Sequence, residues 1–387
     1  MISSGRAIAG AVLLALCFMG VSLLTRSGSP LSRAEASSQI VKDGASDGAP
    51  SSGALAPYRE GWLGERSVLA RVPSATFGPG PVLEVDVLAD TAVILQPQRW
   101  WLARNRELLG PFGTQTGRSR LLGARTMAVA RDGSGIVMVL DNRRGEILFW
   151  DHGGQRLIRT LDLTNRGRLR LQQVTELGLD RKGNVLVTAH GIEGARAIGS
   201  WLLLRYDSTS VDTLLRSTMA GAPGRAFATI SASNLADGSA VAITGGDYGV
   251  RWFGSNGHAV RKRVRAHAPR WRVSAVAHAR IAKILARMPS EMRSGDAYSE
   301  PEYYPAVQQI VALDNGCVVV ATVAGFSDAV YFEVLDSSGQ PLGRLAKAPL
   351  SGNWKLTAGG IVWRRDEGDE TVVEFQPFRI PGGHASH

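Results

Sequence analysis

Asp141, His190 and Asp366 stand at matching places in three copies of a repeated unit, each at the end of an apolar strand. Two other copies carry Gly245 and Val323 there. Two carboxylates and an imidazole around one opening can hold a divalent cation or trade protons with a substrate. Arg143, Arg144, Glu193, Asp247, Glu367 and Asp369 flank them in the adjoining loops. A plainer reading competes: Asp141 and Asp366 cap their turns by accepting backbone N–H bonds, and the ring is wide enough to keep the three apart. The familiar catalytic patterns are missing. There is no nucleophile elbow, no H-E-x-x-H and no phosphate-binding glycine loop, and Gly133-Ser134-Gly135 is a hairpin turn.

A second set of residues carries charge rather than chemistry. Arg261, Lys262, Arg263, Arg265, Arg270 and Arg272 form the densest basic run, with Trp271 among them. Such a run suits either a solvated outer strand, where charge discourages edge pairing, or a docking patch for anionic lipid or polysaccharide. The whole chain leans the same way, with a formal net charge of +10; only six of its 44 basic residues are lysine. Nucleic acid is the least favoured anionic partner, because the N-terminal targeting segment directs the rest of the chain out of the cytoplasm.

These side chains hang on a repeat. An apolar strand reaches a Gly/Asp/Asn turn, a second follows, and a third ends at an aromatic or apolar residue before another turn. Ala128-Val129-Ala130, Ile136–Asp141, Glu146–Trp150 and Leu157–Leu161 show it most clearly. Similar units begin near Leu83, Leu177, Ile230 and Ile310, and a sixth runs from Trp354 to Ile380. Turn signals at this spacing predict an all-β architecture. The sixth unit lacks an outer strand, which Arg66–Val72 can supply by pairing with Val372–Ile380 and closing a ring without exposed edges.

On Gly135–Asp151, the Tyr304-Pro305 lead-in to Leu313–Gly316, and Trp363–Glu367 before Val372–Ile380, the chain resembles the NHL-like six-bladed β-propellers of exported bacterial proteins. The resemblance implies a six-bladed propeller over 58–381 and no particular activity. Calcium-dependent gluconolactonase-like propellers carry a Glu-Gly-Pro opening and a Pro-Asn-Asp segment, and neither is present. Peptide-amidating lyase propellers bring several channel histidines, against His190 alone here.

Arg265–Pro305 interrupts the repeat between blades four and five. Ser274–Met288 reads as an amphipathic helix, with Val276, Ile281, Ile284, Leu285 and Met288 on one face and Pro289 past its end. It either covers the channel mouth or shields blade edges.

Residues 1–26 read as a signal peptide or a membrane anchor, since Ala7–Leu24 is almost unbrokenly apolar between Arg6 and Arg26. A 27–57 linker rich in Ser, Gly, Ala and Pro cannot bury enough apolar surface to order itself, and 382–387 form a short tail. Cys17 and Cys317 exclude a disulfide framework and a cysteine zinc site. The expectation is an extracytoplasmic chain, periplasmic or secreted, or tethered to the inner membrane by residues 7–24. It serves as a non-enzymatic binding or scaffold module for a protein, glycan or small ligand. The alternative is a metal-assisted hydrolase or lyase at the channel, with a divalent cation as the one cofactor the pattern allows.

Overall fold

In the computed structural model, the described residues are 57–381 without 74–81, 89–90, 131–133, 164–168, 194–198, 208–209, 219–229, 236, 245–248, 265–278, 280–306, 324–328 and 350–352. The expected leader and nearly all of the linker lie outside them, as does the expected helix but for Ala279.

The described strands form six antiparallel sheets of four strands each. Five sheets follow chain order from an inner strand outward. Their inner strands are Glu84–Leu88, Ala124–Val129, Leu169–Leu179, Ile230–Asn234 and Val307–Ala312, which define blades 1 to 5. Blade 6 is built differently. Trp354–Thr357, Gly360–Glu367 and Glu370–Pro377 supply three strands, and Ser67–Pro73 from the N-terminal side supplies the fourth. Ser67 pairs with Phe375 and Pro73 with Glu370, so the ring closes between its first and last strands as expected.

Burial along a blade follows from its position in the ring. In blade 2 all five residues of Val137–Asp141 are buried, and so are four of the five in Glu146–Trp150. Middle strands are covered on both faces by the neighbouring blades, so they read as continuous apolar runs instead of alternating ones. The outer strand Leu157–Asp162 is mostly exposed. The cores are accordingly shared between blades: one cluster joins Met138 and Phe149 of blade 2 to Val187 and Leu204 of blade 3.

Hairpin turns are fixed by carboxylates. Asp180 accepts from Lys182 N and Asn184 N at 2.9 Å each, and Asp336 accepts from Gln340 N at 2.8 Å. Two turn glycines also seat one blade on the one before it. Gly154 (φ 69°) would bring a Cβ within 2.7 Å of Trp100, and Gly339 (φ 83°) within 2.8 Å of Trp252. Only glycine fits both the backbone angle and the space.

Ahead of the closing strand, residues 57–64 cross from blade 5 to blade 6. Tyr58 forms a parallel bridge with Arg344 of blade 5 and Leu63 an antiparallel one with Phe378 of blade 6. The Arg344 guanidinium lies 4.7 Å from the Tyr58 ring and 5.4 Å from that of Tyr331. The closing strand is therefore anchored on two blades.

Candidate functional site

The innermost strand of each blade leaves one edge without a strand partner at the axis, and its N–H groups need acceptors. The chain meets this need with one polar residue per inner strand. Glu84, Thr126, Glu176, Ser231, Gln309 and Lys355 form a ring at one level, and most of the side chains take the N–H that follows the ring position in the next blade. Met127 N donates to Glu84 Oε2 at 2.7 Å and Ala232 N to Glu176 Oε2 at 3.0 Å. Ile310 N donates to Ser231 Oγ at 3.1 Å and Leu356 N to Gln309 Oε1 at 2.8 Å. Lys355 accepts nothing and instead forms an ion pair with Glu84, which ties blade 6 to blade 1.

Two residues further along, Asp86 takes Val129 N at 3.0 Å and Ser233 takes Ala312 N at 3.0 Å, so part of a second layer repeats the pattern. Hydroxyls complete the first. Thr126 Oγ1 donates to Glu84 Oε2 at 2.5 Å, and Ser231 Oγ to Glu176 Oε1 at 3.0 Å. What remains open at the axis is a cavity of about 80 Å³, edged by Glu84, Asp86, Glu176, Asn234, Gln309 and Lys355. At ~30 Å³ per liquid water, that is room for two or three waters.

Burial pushes the Glu176 carboxyl up to about 7; its bonds from Ala232 and Ser231 and the Lys355 charge work against that rise, and the Glu84 charge adds to it. Burial also opposes the Lys355 ammonium, but Glu84, Asp86 and Glu176 outweigh it and hold its pKa above the ordinary lysine value. On the second strand of blade 6, Arg364 donates to Val82 O at 3.1 Å and Leu83 O at 2.9 Å. Burial lowers its pKa against the pull of Glu84 and Asp366.

The residues singled out from the repeat lie elsewhere. Asp141 is fully buried and serves its turn: its carboxylate accepts from Leu122 N at 2.8 Å and Arg143 N at 3.1 Å, with Arg144 Nε at 3.8 Å. Asp366 accepts from Thr371 Oγ1 at 2.8 Å within its own hairpin. His190 and Glu193 lie on the second strand of blade 3, opposite Gln173 and Leu169. Asp247 lies outside the described residues. Glu367 pairs with Arg71 (2.7 Å) and Arg365. Among the described residues, no group of three or more His, Cys, Asp or Glu is placed to hold a metal ion.

Of the basic run, Arg261 stacks on Trp252 at 5.7 Å and donates to Ser337 O, and Lys262 is exposed opposite Arg251. Arg263 is on the same outer strand; Arg265, Arg270 and Arg272 lie outside the described residues. The axial ring itself was not among the expected site residues. Its trace in the sequence is a polar residue followed by an apolar one in every inner strand: Glu84-Val85, Thr126-Met127, Glu176-Leu177, Ser231-Ala232, Gln309-Ile310 and Lys355-Leu356.

Six radial blades, an N-terminal closing strand and a polar axial ring define a six-bladed β-propeller. No protein-family model matches the chain, and no curated protein matches it in sequence. Solved structures resemble it at the level of fold. A candidate exported protein from Bacteroides fragilis is 10% identical, with a TM-score of 0.48 over 84% of this chain and 99% of that one. Streptogramin B lyase is 7% identical (TM-score 0.41, 82% of this chain and 100% of that one), and TolB from Acinetobacter baumannii is 12% identical (TM-score 0.40, 78% and 66%).

Proposed function

We propose that this chain is a non-enzymatic, extracytoplasmic propeller that acts as a binding or scaffold module. The observation that carries this reading is the state of the axis. Glu84, Glu176, Gln309 and Lys355 are spent on holding blades together, and the space left is about 80 Å³. Small-molecule sites occupy roughly 300–1,000 Å³, so a substrate of ordinary size has no place among these groups. A metal-assisted hydrolase or lyase at the channel would need carboxylates that the ring already uses. Binding then falls to the disc faces and rim, where loops vary without disturbing the blades.

The placement outside the cytoplasm rests on Ala7–Leu24 between Arg6 and Arg26. A reporter enzyme active only outside the cytoplasm, fused after residue 381, is expected to be active. A reporter active only in the cytoplasm would sink that half of the proposal. For the other half, the purified chain is crosslinked in its native envelope and its partners recovered. The same preparation, loaded with divalent cations, is tested for ester, lactone and glycoside cleavage. Recovery of a partner without turnover is expected. Turnover that disappears in Glu176→Gln, with the fold kept, would replace the binding reading with an enzymatic one.

A further inference from the structure

Two loops at the edge of blades 1 and 2 carry four arginines on a single fixed platform. Residues 113–123 join the outer strand of blade 1 (Glu107–Phe112) to the inner strand of blade 2 (Ala124–Val129). The second loop is the 141–145 turn, between the second and third strands of blade 2. In antiparallel blades both kinds of connection emerge on the same face of the disc. The loops are knitted together by Asn142 N to Gly123 O at 2.9 Å and Leu122 N to Asp141 Oδ2 at 2.8 Å. Arg144 completes the seam, donating to Arg118 O at 2.6 Å and Gly117 O at 3.2 Å.

Arg118, Arg120 and Arg143 stand exposed on this platform. Among the described residues none of the three guanidinium groups has an ion-pair or hydrogen-bond partner; the Asp141 carboxylate on these loops is committed to turn amides and Arg144. Most other described arginines on this molecule are stacked or paired, so three forks without a described partner on two joined loops are a distinct surface. Planar guanidinium forks match carboxylates bidentately, and rigid loops lose little freedom in holding them.

The occupant is narrowed by what surrounds the patch. A membrane-docking surface usually adds apolar side chains that enter the lipid, and a sugar site adds an aromatic platform. Among the described residues, the exposed large apolar ones, Tyr58, Val68, Leu109, Ile158 and Val260, all lie outside the two loops. The N-terminal segment also enters the disc at the opposite face, where Tyr58 meets the start of the Pro341–Pro349 strand and Leu63 the end of blade 6. The arginine platform and the entry of the N-terminal segment therefore lie on opposite faces. Resting on the binding reading above, we propose that the Arg118, Arg120, Arg143 and Arg144 platform is a docking surface for an acidic segment of a partner protein.

The test captures the full chain on a sensor and exposes it to a short oligoglutamate peptide, to vesicles of anionic phospholipid, and to a sulphated polysaccharide. Two variants lose the same charge: Arg118→Gln/Arg120→Gln/Arg143→Gln on the platform, and Arg106→Gln/Arg156→Gln/Arg181→Gln on turns of the opposite face. The peptide is expected to bind wild type and the opposite-face variant alike, and the platform variant about tenfold or more weakly. Raising salt should weaken that binding. Equal loss in both variants would reduce the effect to net charge and overturn the proposal, as would vesicles or polysaccharide binding more tightly than the peptide. An intact platform variant that still recovers the envelope partner would sink this surface while leaving the binding reading in place.

Discussion

Glu176 keeps its proton to about pH 7 because burial opposes its charge, and the Glu84 carboxylate adds to that opposition. An unfolded chain releases that proton near pH 4.5. Between those values the folded state binds the proton that the unfolded state has lost, so stability falls as pH rises through the window. At ~1.4 kcal/mol per pKa unit the whole effect is at most about 3.5 kcal/mol. Glu176→Gln removes it: melting temperature at pH 8 should rise by a few degrees over wild type and stay nearly level at pH 4.5. Parallel melting curves against pH for the two proteins would refute the account. At Lys355 the charged form is the one the fold favours. Lys355→Met leaves the Glu84 carboxylate without its counter-charge and should cost about 1–3 kcal/mol in denaturant unfolding at pH 7, below the ~3–5 kcal/mol of a fully buried pair. The arginine bias also has a structural side. Arg159 over Phe149 (3.9 Å), Arg66 over Trp363 (4.5 Å) and Arg344 over two tyrosines all use a flat cation to cover an aromatic ring, and lysine has no such plane to offer.

Between blades, the devices are few and repeated. A turn glycine of blade 2 sits on Trp100 of blade 1, and one of blade 5 sits on Trp252 of blade 4. Gly339→Ala meets both a strained φ and the Trp252 ring, and should lower stability by about 1–3 kcal/mol, read as a shift in urea midpoint with unchanged slope. Gly183→Ala shares the backbone angle (φ 79°) but has open space, so it isolates the strain alone. A cost at Gly339 no larger than at Gly183 would show that the tryptophan contact is not limiting. The closing strand is the other device. Val72 is fully buried between blades, and Val72→Asp places an unpaired charge there, at a cost of about 3 kcal/mol or more. Limited proteolysis should then cut first within the N-terminal strand; an unchanged digestion pattern would speak against closure by this strand.

Across the molecule, what the sequence reveals depends on whether a feature repeats locally. Turn signals such as Asp180-Arg181-Lys182-Gly183 and Asp336 to Gly339 recur at strand spacing, so six blades and the missing outer strand of the sixth can be read directly. The cap at Asp141 is legible for the same reason, since Asp at a strand end has a local use in its own turn. The axial ring is not local. Glu84 and Met127, or Gln309 and Leu356, are tens of residues apart, and a lone polar residue in a strand looks like solvent alternation. Six such residues become a ring only once the blades are placed in register. Side chains at second-strand ends drew the eye because carboxylates and histidine have known chemistry, whereas serine, threonine and glutamine at the axis do not advertise any. The arginine platform was half visible: Arg143 and Arg144 stood out beside Asp141, but Arg118 and Arg120 joined them only through the seam between two loops.

The pairing of Ser67–Pro73 with Glu370–Pro377 also sets an order of events during synthesis. A ribosome finishes the partner strand about 300 residues after the closing strand has emerged, so for nearly the whole of translation the latter has no mate. Blades 1 to 5 can each form from contiguous chain. The ring itself is sealed by contacts of very high sequence separation, this pairing and the Lys355–Glu84 ion pair among them, whose loop-closure entropy is met only when the last blade appears. A chain halted before Glu370 would therefore present two open edges at once, the unmated N-terminal strand and the bare flank of an incomplete sixth blade. Each is a template for another copy of the same unfinished chain. Completion of the final strand is thus the step that separates a closed disc from one with two bare edges.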